Sequence, residues 1–142
     1  MKKIKTIIML MMLAAVLIPA VTAQTAFPQI VVTLLNQEPD PVPPGNPVDV
    51  RFRIENEQGS PANDVEARLV MAYPLSIYGT DENEKALGSI AVSSTSSDLG
   101  VVEEWTIFVD PNAAAGEYPI EFWYRIGIGT WTKAGEFDLR VR

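Results

Sequence analysis

The chain of 142 residues contains no cysteine and no histidine. Without cysteine there are no disulfides, no thiolate nucleophile and no thiolate-bound metal. Without histidine the commonest general base and the commonest transition-metal ligand are also missing, which excludes Ser-His-Asp and Cys-His hydrolases. We therefore predict a protein without enzymatic activity, catalytic residues, metal or cofactor, and its stability has to come from a hydrophobic core.

Basic residues are scarce, since 11 Lys and Arg stand against 18 Asp and Glu, and three of the lysines lie within the first five residues. This cationic start precedes an apolar run from Thr6 to Val21 and then Val21-Thr22-Ala23, which is the pattern of a cleavable signal peptide. We expect a signal peptide over residues 1–23, a mature domain over residues 24–142 that begins at Gln24, and a location that is secreted or at the cell surface. The alternative is an uncleaved signal anchor, and only then is contact with a membrane expected.

The mature chain would hold 8 basic and 18 acidic residues, a net charge of −10. Such a charge repels nucleic acid and anionic lipid, so neither is predicted as a partner. It also keeps an exported domain soluble.

The rest of the chain alternates apolar and polar residues with period two and shows no convincing amphipathic helix. The clearest example is residues 48–55, which follow the proline-rich segment 39–45. Seven such segments predict an all-β fold, an immunoglobulin-like β-sandwich of about seven antiparallel strands. Residues 73–85 are predicted to form a long loop with an exposed acidic tip at residues 80–84, and residues 93–97 a polar connection.

A tyrosine at the start of the sixth predicted strand supports the sandwich. Many immunoglobulin-like folds carry a tyrosine two positions before a core residue of that strand. Here Tyr118 takes that corner and Ile120 the core position. The tryptophan that antibody domains carry on the third strand is absent, so an antibody-type domain is excluded.

The last predicted hairpin brings aromatic and basic residues together. If Gly127–Gly129 forms the loop, residue 125 faces 131 and residue 123 faces 133, all on the outer face, which gives two cation–π pairs. A bulge at Ala134-Gly135 must then change the parity so that the end of the strand faces inward. The predicted binding residues are Trp123, Arg125, Trp131 and Lys133. Phe108 is a further exposed-aromatic candidate, and the alternative is that the tryptophans only cover the sheet.

Two acidic clusters have weaker functional interpretations. Residues 81–84 offer oxygen ligands for calcium, but their spacing is not that of an EF-hand loop and a solvated acidic tip is favoured. Glu103 and Glu104 are adjacent, and a pair of carboxylates is what glycosidase catalysis needs. Neighbouring residues of a strand point to opposite faces, however, so these two carboxylates cannot converge on one substrate.

The segment TLLNQEPDPVPPGNPVDVRFRIENEQGSPANDVEARL resembles archaeal S-layer-domain-like surface proteins and cell-adhesion-related immunoglobulin-like domains of bacteria and archaea. In that pattern a proline-rich turn with Gly45 precedes a strand that ends at Asn56, and residues 110–118 lead into the sixth strand. The resemblance implies a non-enzymatic surface module whose partners are other envelope or surface proteins, with glycans as an alternative. Two other functions stay open: a carbohydrate-binding module that uses Trp123 and Trp131, and an extracytoplasmic accessory subunit of a membrane complex.

Overall fold

A computed structural model describes residues 26–93 and 100–142. It contains eight strands: β1 (Ile30–Glu38), β2 (Pro47–Asn56), β3 (Ala62–Met71), β4 (Leu75–Ile77), β5 (Glu84–Ile90), β6 (Val101–Val109), β7 (Gly116–Ile126) and β8 (Thr132–Val141). No helix among the described residues has the length and hydropathy needed to span a bilayer. The predicted signal peptide and residues 94–97 of the predicted polar connection lie outside the described part of the chain.

The strands form two antiparallel four-stranded sheets with the orders β1-β2-β6-β4 and β5-β3-β7-β8. The first is the A-B-E-D order of an immunoglobulin constant-type sheet, and β3-β7-β8 is the C-F-G order of its partner, with β5 added beside β3. The predicted immunoglobulin-like β-sandwich is therefore confirmed. β4 lies within the segment predicted as a long loop, and it pairs with β6 through Leu75↔Val109 and Ile77↔Ile107.

The core lies between the sheets, where alternate residues of each strand point inward. At its centre are four aromatic side chains from four strands. Phe52 of β2 has its ring centroid 5.9 Å from Trp105, 5.1 Å from Phe122 and 5.2 Å from Phe137. The tryptophan of this core stands on β6 rather than on β3, so the sandwich is filled differently from an antibody domain.

The predicted tyrosine corner is present. The Tyr118 hydroxyl donates a 2.8 Å hydrogen bond to the Ala114 carbonyl, four residues upstream. Ile120 is buried two positions further along β7. The turn into β7 is therefore tied to the strand that it starts.

The side chain of Gln37, near the end of β1, connects the two sheets along one side of the sandwich. Its amide nitrogen donates to the Arg140 carbonyl at 2.8 Å, and its amide oxygen accepts from the Arg140 N–H at 2.9 Å. Val42 then forms a parallel bridge with Val141. We call the contacts of Gln37 with Arg140 and of Val42 with Val141 the Gln37 clasp. They join β1 and the segment after it to the C-terminal end of β8, which belongs to the other sheet.

Candidate functional site

The outer face of the second sheet carries the residues predicted as a binding site. The register Trp123↔Lys133 and Tyr124↔Thr132 has the constant sum expected for a Gly127–Gly129 loop. The next pair is Phe122↔Gly135, so Ala134 is the extra residue of a bulge. Both the predicted hairpin register and the predicted parity change are thus confirmed.

Two tryptophan and two arginine side chains pack against one another on this face. The Arg68 guanidinium lies 5.6 Å from the Trp123 ring centroid and 4.3 Å from that of Trp131. The Arg125 guanidinium lies 4.8 Å from the Trp131 centroid, which is the predicted cation–π pair. We call Trp123, Arg68, Trp131 and Arg125 the tryptophan–arginine ladder. Arg68 joins it because β3 pairs with β7 in the register Arg68↔Trp123.

Lys133 corrects one detail of the sequence prediction, which placed its cation over Trp123. Its ammonium group instead lies 2.8 Å from a Glu121 oxygen and 2.8 Å from a Glu136 oxygen. Full negative charges on both sides attract an ammonium more strongly than the partial charge of a ring face does. The cation that reaches Trp123 is Arg68.

Carboxylates hold the ladder in place from both ends. Glu66 pairs with Arg125, and the Trp123 indole N–H donates to Glu121 at 2.8 Å. Hydrogen bonds from Lys133 and then Trp123 lower the pKa of Glu121. Bonds to Glu121 and Glu136 raise the pKa of Lys133. Glu121 and Lys133 therefore stay charged at neutral pH. The ladder itself is a preformed arrangement of half-buried side chains.

The ladder is not an open aromatic platform, because its tryptophan rings already contact arginine side chains. The Trp131 ring is in contact with two guanidinium groups, so a sugar that stacks on this ring would compete with them for its surface. Tryptophan and arginine are the residue types most enriched among the energetically dominant contacts of protein–protein interfaces. Phe108, the further aromatic candidate, is separate: it lies on the other sheet and stacks on Tyr78 with centroids 5.8 Å apart.

The acidic segment 81–84 was predicted to be a solvated tip, and Asp81 contradicts this. One Asp81 oxygen accepts the Thr106 N–H at 3.0 Å, and the other lies 3.0 Å from the Lys85 ammonium. Burial of this carboxyl raises its pKa, but the hydrogen bonds from Thr106, Lys85 and the Glu82 N–H outweigh that effect, so the net pKa is lowered. Asp81 therefore attaches the segment between β4 and β5 to the edge of β6.

This attachment gives a pH-dependent prediction. Because the Asp81 pKa is lowered in the folded protein, its contribution to stability is present above the unfolded-state pKa and is lost as pH falls through the folded-state pKa. Asp81→Asn is expected to reduce the free energy of unfolding at pH 7, and the difference from wild type should shrink below about pH 4. Urea denaturation at both pH values measures it, and a difference that is unchanged at low pH contradicts the assignment.

The paired carboxylates on β6 separate as predicted. Glu104 pairs with Arg51, whereas Glu103 has an oxygen 3.5 Å from the Lys85 ammonium. Within residues 26–93 and 100–142, no group of three or more carboxylates is placed to hold a metal ion. An open groove of about 610 Å³ is lined by the apolar residues Leu69, Val70, Met71 and Ile77 and by the polar segment 81–84.

The fold and the ladder together define an immunoglobulin-like β-sandwich with a built polar–aromatic surface. No protein-family model matches the chain, and no curated protein matches it either. Among solved structures, the chain is similar to the sporulation control protein Spo0M from Bacillus subtilis, with 14% identity and a TM-score of 0.39; the match covers 80% of this chain and 49% of that one. It is also similar to a cohesin module from a family 33 glycoside hydrolase of Clostridium perfringens, with 11% identity and a TM-score of 0.38, covering 82% of this chain and 98% of the module. At these values neither neighbour identifies a family or a function for this chain.

Proposed function

We propose that this protein is an exported, non-enzymatic interaction domain of the cell surface, of the S-layer-like or adhesion-related kind, that binds another envelope or surface protein through the tryptophan–arginine ladder. The ladder is the observation that carries the proposal. It concentrates two of the three tryptophans of the chain on one sheet face of an acidic protein. Export is supported by the sequence of the first 23 residues.

The rigidity of the ladder supports a binding role. Ordering a long side chain at an interface costs about 0.5–1.5 kcal/mol, and a side chain that is already fixed before binding avoids most of that cost. Arg68 and Arg125 are held by ring contacts and Arg125 also by Glu66. A partner that presents carboxylates or backbone carbonyls would meet guanidinium groups already positioned for hydrogen bonding.

The contacts of Trp131 favour a protein partner over a glycan. Sugar recognition by stacking needs an accessible ring face, and both arginines compete for the Trp131 ring. Protein recognition instead uses the edges of the rings and the guanidinium N–H groups together. The glycan alternative is therefore an outcome of the test below rather than a second proposal.

The test measures association with isolated cell envelopes from the producing cells. Trp123→Ala and Trp131→Ala, alone and combined, are expected to weaken this association about tenfold or more, the loss typical of residues that dominate an interface. Phe108→Ala, which removes an aromatic ring from the outer face of the other sheet, is the matched control and should bind like wild type. Thermal melting of every variant separates a binding defect from unfolding.

Treatment of the envelopes identifies the class of partner. Prior digestion with a protease should abolish association, whereas periodate oxidation of sugars should not. N-terminal sequencing of the exported protein should begin at Gln24. The proposal is refuted if the stably folded double variant binds normally, and periodate sensitivity would replace it by the carbohydrate-binding function.

A further inference from the structure

The free edge of β1 differs from the other three sheet edges in the described residues. β4 has only three residues. β5 contains Glu84, Lys85 and a Gly88 with φ of 75°, and β8 carries charges of both signs along its length. Short strands, charged residues and irregularities are the usual protection of an edge against pairing with another strand. β1 has nine residues, its one charged residue, Glu38, lies at its C-terminal end, and its β-bulge lies between Leu34 and Asn36, so its uncharged and regularly paired part is residues 30–34.

Five of the six residues from Ile30 to Leu35 are apolar, with Thr33 as the exception, and no charged residue occurs from Phe27 to Gln37. The strand stands at the end of its sheet and pairs only with β2. Leu35 is 41% exposed. Segments with high β-propensity, no charge and no proline are those that pair with further strands when they lie on an edge.

The backbone groups that face this edge follow from the register with β2. The Glu57 N–H donates to the Gln29 carbonyl at 2.9 Å. Because bonding alternates along an antiparallel strand, Val31 and Thr33 also bond toward β2, and the N–H and C=O groups of the residues between them point away from it. The outward-facing residues are Ile30, Val32 and Leu34.

We infer that this edge pairs with the same edge of a second copy, in an antiparallel arrangement centred on Val32. In that register Val32 faces Val32 of the other copy and Ile30 faces Leu34. The pairs 30–34, 32–32 and 34–30 each consist of two outward-bonding residues, so about six backbone hydrogen bonds form, two for each of these pairs. The contact is isologous, as a two-fold dimer requires, and it joins the two first sheets into one continuous eight-stranded sheet.

The expected dimer is weak and depends on salt. Each copy contributes about six residues, well below the 20–30 of a standard interface, so association needs high protein concentration. Residues 24–142 of each copy carry a net charge of −10, and two such bodies repel each other at low ionic strength. Screening this repulsion should strengthen the dimer, whereas an interface made of ion pairs would weaken in salt.

The test is sedimentation equilibrium of the exported protein at concentrations up to about 1 mM, at about 0.01 M and about 1 M salt. The weight-average mass should rise with concentration, and more so at high salt. Val31→Lys/Thr33→Lys should abolish the dimer, because position 31 faces position 33 of the other copy and like charges then lie opposite each other. Val70→Lys/Val102→Lys adds the same charge at exposed strand positions away from this edge and should still dimerise.

A charge-swap experiment tests the register itself. Val31→Glu/Thr33→Glu alone should also be monomeric, but mixing it with Val31→Lys/Thr33→Lys should restore dimers, because each lysine then faces a glutamate. Circular dichroism verifies that all variants fold. A monomeric wild-type protein under every condition, or equal association of the edge and control variants, refutes the inference. Because the ladder lies on the other sheet, neither result affects the proposed binding function.

Discussion

Phe52→Ala is expected to lower the free energy of unfolding by about 3–5 kcal/mol, the range for truncation of a buried phenylalanine. The ring is fully buried and packs against Trp105, Phe122 and Phe137, which come from three other strands and both sheets. Aromatic pairs of this geometry add about 0.5–1.5 kcal/mol beyond the area that they bury. The loss should therefore fall in the upper half of the range, a large fraction of the 5–15 kcal/mol that stabilises a typical domain.

Chemical denaturation of the variant and the wild type measures this loss. Phe108→Ala is the matched control, since that ring lies on the outer face of the first sheet and stacks only on Tyr78 among the described aromatic side chains. It should cost about 1 kcal/mol. If Phe52→Ala does not fold, Phe52→Leu, which keeps most of the side-chain volume, extends the series. A loss below about 1 kcal/mol for Phe52→Ala would contradict the central position of this ring.

Asn56→Leu is expected to cost about 2–4 kcal/mol although it keeps the branched shape and the number of heavy atoms of the side chain, because it removes a hydrogen-bond partner from three partly or fully buried backbone groups. Asn56 is the one fully buried polar residue in the described chain. Its oxygen accepts the Gln29 N–H at 3.1 Å, and its nitrogen donates to the carbonyls of Ser60 at 2.9 Å and Ile90 at 3.4 Å. One side chain thus connects the start of β1, the β2–β3 turn and the end of β5.

Two further substitutions make the Asn56 prediction specific. Asn46→Leu, at an exposed turn position, should change stability by less than about 1 kcal/mol. Asn56→Asp keeps the acceptor but loses the donors, and burial disfavours its charged form, so it should be more destabilising at pH 7 than at about pH 4. Denaturation at both pH values measures this. If Asn56→Leu is as stable as wild type, the three hydrogen bonds contribute nothing to folding.

Local sequence was sufficient for every strand except β4 and for the last hairpin. The alternation of β2 and the placement of Tyr118 are local patterns, and the hairpin register follows from the loop length by simple counting. β4 was missed because Leu75, Ser76 and Ile77 are too few to show a period. The resemblance to surface domains identified Asn56 as the end of a strand. Only the structure shows which carbonyls its side-chain amide group reaches.

The candidate site was predictable only where its partners lie within one hairpin. Arg125 and Trp131 meet across a short loop, so counting places them together. Arg68 lies more than fifty residues away in sequence and reaches the tryptophans only because β3 pairs with β7, which no local pattern indicates. Asp81 was misjudged for the same reason: a run of acidic residues usually faces solvent, and the Thr106 N–H that binds it belongs to a distant strand.

The Gln37 clasp determines how the domain responds to a mechanical load. The segments at Val42 and Val141 run parallel, so a pull on the N-terminal end of β1 and an opposite pull on the C-terminal end of β8 act along both strands in opposite directions. The bonds from Gln37 to Arg140 and those of Val42 with Arg140 and Arg142 lie across that direction. They are therefore loaded in shear and share the force, rather than opening one after another, and we expect β1 and β8 to separate only when these bonds break together.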